Sequence, residues 1–345
     1  MRSSRSVTAF RDGVRRVAAA PGIVAGVFAM TLLLALPLAL VLRGSIAAHL
    51  RNSLTAAQAA DAANWDWWQE FSAQAIGLAT TFTPSVIGAA TTLDSVSGVV
   101  DGRTPIAPVA WALACSVLAW MFVSGGIIDR YARQRPTRTY GFFAAAGTFF
   151  VRFLRLGALV GVVYWWLFTY VHPWLFGQVF DTATRNLSVE RTAFVWRVAL
   201  YVAFGLALVF VNLLTDYAKI RIVVEDRRSA LGGLSAAWRF VRQHPAQVTA
   251  LYALNALLFV ALVAIWVLAA PGAGGSGMAM WATFVVTQAY LLIRVLLKLQ
   301  FMASQIALFQ AALAHASYTA APLPIWPDSA AAEAVTRSVR LQPDL

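Results

Sequence analysis

The sequence predicts an all-α integral membrane protein with six transmembrane helices joined by amphipathic interfacial helices. Of its 345 residues, 60% are hydrophobic and 12% are charged, whereas soluble domains carry about 25% charged residues. The mean hydropathy is +0.67, so the chain has too little polar surface to cover a soluble fold. This composition excludes a soluble enzyme, a disordered chain and a disulfide-rich scaffold.

Six apolar segments approach the length of roughly 20 residues that a helix needs to cross the hydrocarbon core. The predicted spans are 23–42, 106–128, 156–172, 193–214, 247–270 and 280–299. The first is longer than the apolar core of about 7–15 residues in a signal peptide, so we expect it to be retained. Together with their connections, the spans form a predicted membrane domain over 23–316.

The basic residues predict the orientation of this domain. They concentrate in the segment before the first span, in the connection after the second and in the connection after the fourth, whereas 271–279 has none. Because arginine and lysine are retained on the cytoplasmic side, both termini are predicted to be cytoplasmic. Since the net charge of +12 lies beside apolar runs, it favours anionic lipid of the inner leaflet as a partner, and not nucleic acid.

Four segments are predicted to lie outside the hydrocarbon core. Residues 1–22 form a basic cytoplasmic tail, and 317–345, rich in proline and alanine, form a flexible one. Residues 46–105 form an outer interfacial segment, with its tryptophans at the headgroup layer or the whole segment acting as a lid. Two inner interfacial helices, 140–155 and 229–242, each carry basic residues near the C-terminal end that we expect to contact lipid headgroups. These residues are Arg152, Arg155, Arg239 and Arg242.

Charged residues also occur at membrane depth. Arg294 and Lys298 lie four residues apart on the sixth span, and Arg294 is about two-thirds of the way through the hydrocarbon core. Asp129 and Asp216 close the inner ends of the second and fourth spans. Buried charges are rarely unpaired, so one hypothesis is an ion-pair cluster of these four residues. The alternative is that both basic side chains extend to the headgroups and leave the aspartates exposed.

An internal parallel repeat is a further hypothesis. The second span ends in Asp129-Arg130-Tyr131-Ala132-Arg133 and the fourth in Asp216-Tyr217-Ala218-Lys219. A basic connection, an interfacial helix and a span follow each of these motifs, and 150–152 matches 240–242 within those helices. Both copies begin by crossing inward, so their symmetry axis would lie along the membrane normal.

An acidic turn and an amphipathic helix follow the fourth span, in the segments 222–226, 229–230 and 238–240. This arrangement resembles a group of uncharacterised bacterial polytopic membrane proteins. It is similar to the membrane-embedded domain fused to some glycerophosphoryl diester phosphodiesterases, over about residues 106–320. The resemblance implies a helical domain of a bacterial cytoplasmic membrane. It implies no phosphodiesterase activity, because the sequence contains no phosphodiesterase domain.

The sequence shows no set of residues suited to catalysis. The four histidines, His49, His172, His244 and His315, are scattered, and none of the usual metal-ligand, nucleotide or nucleophile motifs occurs. We therefore expect neither an enzyme nor a bound metal or cofactor. The predicted function is an accessory subunit or scaffold that organises membrane protein partners or anionic lipid at the inner leaflet. The alternative is a transporter of a lipid or small amphipathic molecule.

Overall fold

The computed structural model describes residues 2–61, 64–83, 94, 97–98, 101–103, 105–187, 189–271 and 277–315. These residues form helices and connecting loops, with no strand among them. The main elements are α1 (Arg2–Ala18), α2 (Pro21–Leu50), α3 (Ala56–Asp61), α4 (Trp65–Gln74), α5 (Ala107–Arg133), α6 (Thr139–Thr184), α7 (Glu190–Val224), α8 (Ala230–Gln243), α9 (Pro245–Ala269) and α10 (Met278–His315). The predicted tail at 317–345 lies outside the described residues.

Six of these helices, α2, α5, α6, α7, α9 and α10, are long and apolar enough to cross a membrane. They confirm the all-α class and the predicted number of such segments. The chain divides into two compact units. Unit 1 comprises Met1–Ala20, Trp120–Ala253 and Gln300–Leu345, and unit 2 comprises Pro21–Ala119 and Leu254–Leu299.

The core of unit 1 contains both large aromatic side chains and close helix contacts. Phe153, Phe204, Tyr217 and Phe309 are almost completely buried. A Cβ atom on Gly126 of α5 would lie 2.7 Å from the carbonyl oxygen of Phe142 on α6. Only glycine permits this approach of the two helices, so the small residues near the end of α5 determine how α6 packs against it.

The interfacial position of residues 140–155 stays a prediction. These residues and the predicted span 156–172 belong to one continuous helix, α6. Its hydrogen bonding changes only at the wider π-helical turns Leu167–Val171 and Trp174–Val179. These turns flank Pro173, which lacks the N–H group that an ordinary helix would use. The second predicted interfacial helix, 229–242, corresponds to the separate helix α8, which is capped by the hydroxyl of Ser229 and followed by Pro245. Its position at a membrane interface stays a prediction.

The N-terminal segment, predicted as a basic tail, forms the helix α1. One stripe of this helix, Ser6, Ala9, Gly13 and Val17, is buried in unit 1. The spacing of three or four residues places these side chains on one face. The prediction of a tail used only the charge of this segment. The buried face lacks the large apolar residues that usually indicate an amphipathic helix, so the helix was missed.

In unit 2, the segment predicted to be on the outer side packs against the end of α2 through aromatic rings. Trp67 is 6% exposed, and its indole N–H donates to Nδ1 of His49 over 3.1 Å. Phe71 stacks on Trp67 with a centroid distance of 5.3 Å. Trp65, in contrast, is 61% exposed. The headgroup role predicted for the tryptophans therefore does not fit Trp67, which belongs to a buried cluster.

Gly13→Ala should destabilise unit 1, because the added Cβ atom would lie 2.8 Å from the backbone nitrogen of Ser304. Overpacking of this kind costs about 1–3 kcal/mol. The control is Gly147→Ala on α6, where an added Cβ has no described neighbour within 4 Å and the gain in helix propensity is about 1 kcal/mol. Thermal unfolding in detergent measures both variants. A Gly13→Ala protein as stable as wild type would contradict the close packing of α1.

Candidate functional site

A row of buried polar side chains on α10 bonds to other helices of unit 1. Gln300, Ser304 and Gln305 are at most 6% exposed. The amide nitrogen of Gln300 donates to the carbonyl oxygen of Phe10 over 2.9 Å. Gln305 donates to the carboxylate of Asp216 over 3.4 Å. These bonds attach both the N-terminal helix α1 and the span helix α7 to α10.

Arg16 and Gln310 connect the end of α1 to the end of α5. One guanidinium nitrogen of Arg16 donates to the carbonyl oxygen of Tyr131 over 3.0 Å and to the side-chain oxygen of Gln310 over 2.8 Å. The amide nitrogen of Gln310 donates to the carbonyl oxygen of Ala132 over 3.0 Å. Burial lowers the pKa of the Arg16 guanidinium from its ordinary value, and the Asp12 carboxylate acts in the opposite direction.

A cavity of about 290 Å³ lies between the ends of α1 and α5. We call it the arginine cavity; its lining residues are Asp12, Arg15, Arg16, Ala19, Arg130, Tyr131 and Gln134. A guanidinium nitrogen of Arg15 lies 3.8 Å from a carboxylate oxygen of Asp12. Arg130 donates to the carbonyl oxygen of Ala19 over 3.3 Å. The arginine cavity therefore combines three cationic side chains with a single carboxylate.

Each aspartate of the predicted embedded-charge cluster has a basic partner on its own helix. Asp129 is 2.7 Å from Arg133, and Asp216 is 3.6 Å from Lys219. Both aspartates belong to unit 1, whereas Arg294 and Lys298 belong to unit 2. Within unit 2, the guanidinium of Arg294 lies over the ring of Tyr290 at 5.7 Å, and Lys298 is one turn further along α10. A cluster of all four charges stays a prediction.

The four arginines predicted to contact headgroups fall into two groups. Arg152 has a side chain that is 17% exposed and lies 2.5 Å from Asp226. It also donates to the carbonyl oxygen of Arg227 over 3.3 Å, so it fastens the connection before α8 to α6. The other three, Arg155, Arg239 and Arg242, are exposed. Their exposure fits the predicted role, whereas the contacts of Arg152 give it a structural one.

Sequence reasoning missed the arginine cavity because it depends on α1 docking against α5. The signal that indicates α1 is the small-residue spacing of Ser6, Ala9 and Gly13 before the arginine pair 15–16. Among the described residues, no group of three or more His, Cys, Asp or Glu side chains is arranged to hold a metal ion.

Comparison of the chain with protein-family models, with curated proteins and with solved structures finds no match. The resemblance to the membrane domain of some glycerophosphoryl diester phosphodiesterases therefore stays a prediction. The functional interpretation below depends on the geometry and charge of the described residues.

Double-mutant cycles should separate the two groups of arginines. Because Arg152 and Asp226 are in contact, we expect Arg152→Gln and Asp226→Asn to show a coupling free energy of at least about 0.5 kcal/mol in thermal unfolding. The control cycle pairs Arg155→Gln with Asp226→Asn, whose effects should add. Additive effects in the Arg152 cycle would contradict its structural role.

Proposed function

We propose that this chain is a non-enzymatic component of a bacterial cytoplasmic membrane that organises anionic lipid and a membrane protein partner at the inner leaflet. In the proposed orientation both termini are cytoplasmic, as the distribution of basic residues predicts. Six helices with sufficient length and hydropathy support a multi-pass arrangement. The part of unit 1 that contains α1 and the basic connections 134–138 and 225–229 would face the cytoplasm.

The observation that carries the proposal is that α8 has one face buried in unit 1 and an opposite, exposed face with both apolar and basic side chains. Its buried face, which includes Ala236, Ala237 and Phe240, packs inside unit 1. On the exposed face, Leu231 is 64% exposed and Trp238 is 42% exposed. Exposed apolar side chains beside arginines are typical of a helix that lies in the membrane interface.

The charge on this surface favours anionic headgroups. Arg239 and Arg242 are exposed on α8, and Arg155 is exposed on α6. The guanidinium of Arg242 lies over the ring of Trp238 at 5.8 Å, so the cation is held beside an apolar side chain. A basic residue near an anionic leaflet contributes about 1 kcal/mol of attraction. Three such residues are enough to enrich anionic lipid around unit 1.

An internal duplication is supported by the two hairpins α5–α6 and α7–α8. Their connections, 134–138 and 225–229, have the same length. Each connection contains a residue in the left-handed backbone conformation near its start. Gln134, at the first position of its connection, has φ 54°, and Asp226, at the second position of the other, has φ 48°. When the helix starts Thr139 and Ala230 are superposed in sequence, the buried Phe149 pairs with the buried Phe240. This register differs by one residue from the match of 150–152 with 240–242.

Neutralising the exposed arginines should reduce the enrichment of anionic lipid. The test variant carries Arg155→Gln, Arg239→Gln and Arg242→Gln. At about 1 kcal/mol for each residue, we expect the preference for anionic over zwitterionic lipid to fall by up to about a hundredfold. Native mass spectrometry of protein released from nanodiscs with a mixed lipid composition measures the bound lipids.

The matched control carries Arg43→Gln, Arg185→Gln and Arg191→Gln, which removes the same number of exposed charges from segments predicted to be on the outer side. This control should bind anionic lipid like the wild type. Equal lipid enrichment in the wild type and in the Arg155, Arg239, Arg242 variant would contradict the lipid role of this surface.

A partner protein should remain bound when the chain is extracted gently from its own membrane. Native mass spectrometry should then show a second polypeptide at fixed stoichiometry, because organisation of a partner requires a specific interface. The control is the same extraction with increasing detergent, which should release the partner at one defined step. A chain that is always without a second polypeptide would contradict the scaffold.

A further inference from the structure

The charges around the arginine cavity do not balance. Arg15, Arg16 and Arg130 line it together with one carboxylate, that of Asp12. Arg16 and Arg130 donate hydrogen bonds to neutral oxygens, those of Tyr131, Gln310 and Ala19. Two helices also end here, and the partial negative charge of their last carbonyl groups offsets part of the excess. The cavity nevertheless keeps a positive balance.

Arg16 is partly buried, whereas Arg15 is exposed. The Nε atom of Arg16 is buried and has no hydrogen-bond partner among the described residues, and its other contacts are with neutral groups. A cation that is partly removed from water and has no carboxylate bonded to it gains stability from a nearby anion. The open space beside it is therefore suited to a negatively charged ligand.

The volume of the arginine cavity and the charge of its lining residues favour a phosphate group over other anions. The cavity volume of about 290 Å³ is roughly ten times the share of liquid volume that one water molecule takes, which leaves room for a phosphate group. The planar guanidinium fork of arginine binds phosphate oxygens with two parallel hydrogen bonds. Inorganic phosphate and a phosphate monoester carry up to two negative charges, whereas a carboxylate carries one, so they compensate the three arginines better. The phosphodiester of a lipid headgroup carries one charge, and its two non-bridging oxygens accept the paired hydrogen bonds of a guanidinium.

We infer that the arginine cavity binds a phosphate group, carried by a lipid headgroup or by a soluble molecule, through Arg15, Arg16 and Arg130. The cavity shares no lining residue with the exposed surface of Arg155, Arg239 and Arg242, so this site goes beyond the proposed function and either one can fail alone. A phosphate bound here contacts both α1 and α5. Its binding stabilises the docking of α1 by RT ln(1 + [L]/Kd), so tighter binding gives more stability at the same concentration.

Thermal shifts of the full-length protein in an uncharged detergent test the site. The probes are inorganic phosphate, acetate and a short-chain phosphatidylglycerol, each titrated at constant ionic strength. Stabilisation grows as RT ln(1 + [L]/Kd). The concentration at which each variant gains a set increment over its own ligand-free unfolding temperature therefore measures apparent affinity. The test variants are Arg15→Gln, whose side chain is 83% exposed, and Arg130→Gln. The controls are Arg11→Gln and Arg135→Gln, which change exposed arginines that do not line the cavity.

We expect phosphate to raise the unfolding temperature of the wild type and of both controls, and acetate to have a much smaller effect. In Arg15→Gln and Arg130→Gln the apparent affinity for phosphate should fall about tenfold. If phosphatidylglycerol acts at lower concentration than phosphate and loses affinity in the same variants, the source is a lipid headgroup. If inorganic phosphate acts at the lower concentration, the source is a soluble molecule.

Three results would overturn the site. They are the absence of any phosphate-dependent shift in the wild type, an acetate effect equal to that of phosphate, and equal phosphate affinity in the cavity variants and the controls. None of them depends on the lipid enrichment measured for the exposed arginines, so failure here leaves that experiment interpretable.

Discussion

The buried polar row on α10 is the constraint on which the arrangement of unit 1 depends. A polar group away from water is costly unless it is hydrogen-bonded, so the buried Gln300 and Gln305 require partners at fixed positions. The half-buried Gln310 adds a third bond. The partners of these three side chains are Phe10 on α1, Asp216 on α7 and Ala132 on α5. Because the bonds are directional, α10 fixes where three other helices lie, which apolar contacts alone would leave less defined.

Small residues bring the helices of unit 1 into close contact, in addition to the hydrogen bonds of the polar row. Gly13 brings α1 close to Ser304, and Gly126 brings α5 close to Phe142. At both positions, small residues let the helix backbones approach closely, so van der Waals contact adds to the hydrogen bonds. The same docking of α1 places Arg16 beside Tyr131 and so creates the arginine cavity. The docking of α1 therefore both completes the packing of unit 1 and forms the arginine cavity.

The composition and the apolar segments were sufficient to predict six helices of spanning length, because hydropathy is a property of each segment alone. The separate helix α8 was also predictable from a single segment. Ser229 caps its start and Pro245 follows its end. The continuity of α6 was not predictable, since Pro173 and a run of basic residues both suggest an interruption, and the structure absorbs Pro173 with π-helical turns. The exposure of Arg239 and Arg242 followed from their position, whereas the contact of Arg152 with Asp226 joins residues 74 positions apart.

The sequence by itself determined the helical class, the six apolar helices and the basic character of the segments between them, because these depend on local composition. Tertiary structure alone decided that Arg152 is bound to Asp226. It turned the basic N-terminal segment into the docked helix α1 and brought Arg15 and Arg16 next to Arg130. The physical reason is that a hydrogen bond or a cavity requires two distant segments at a set distance, and no single segment carries that information.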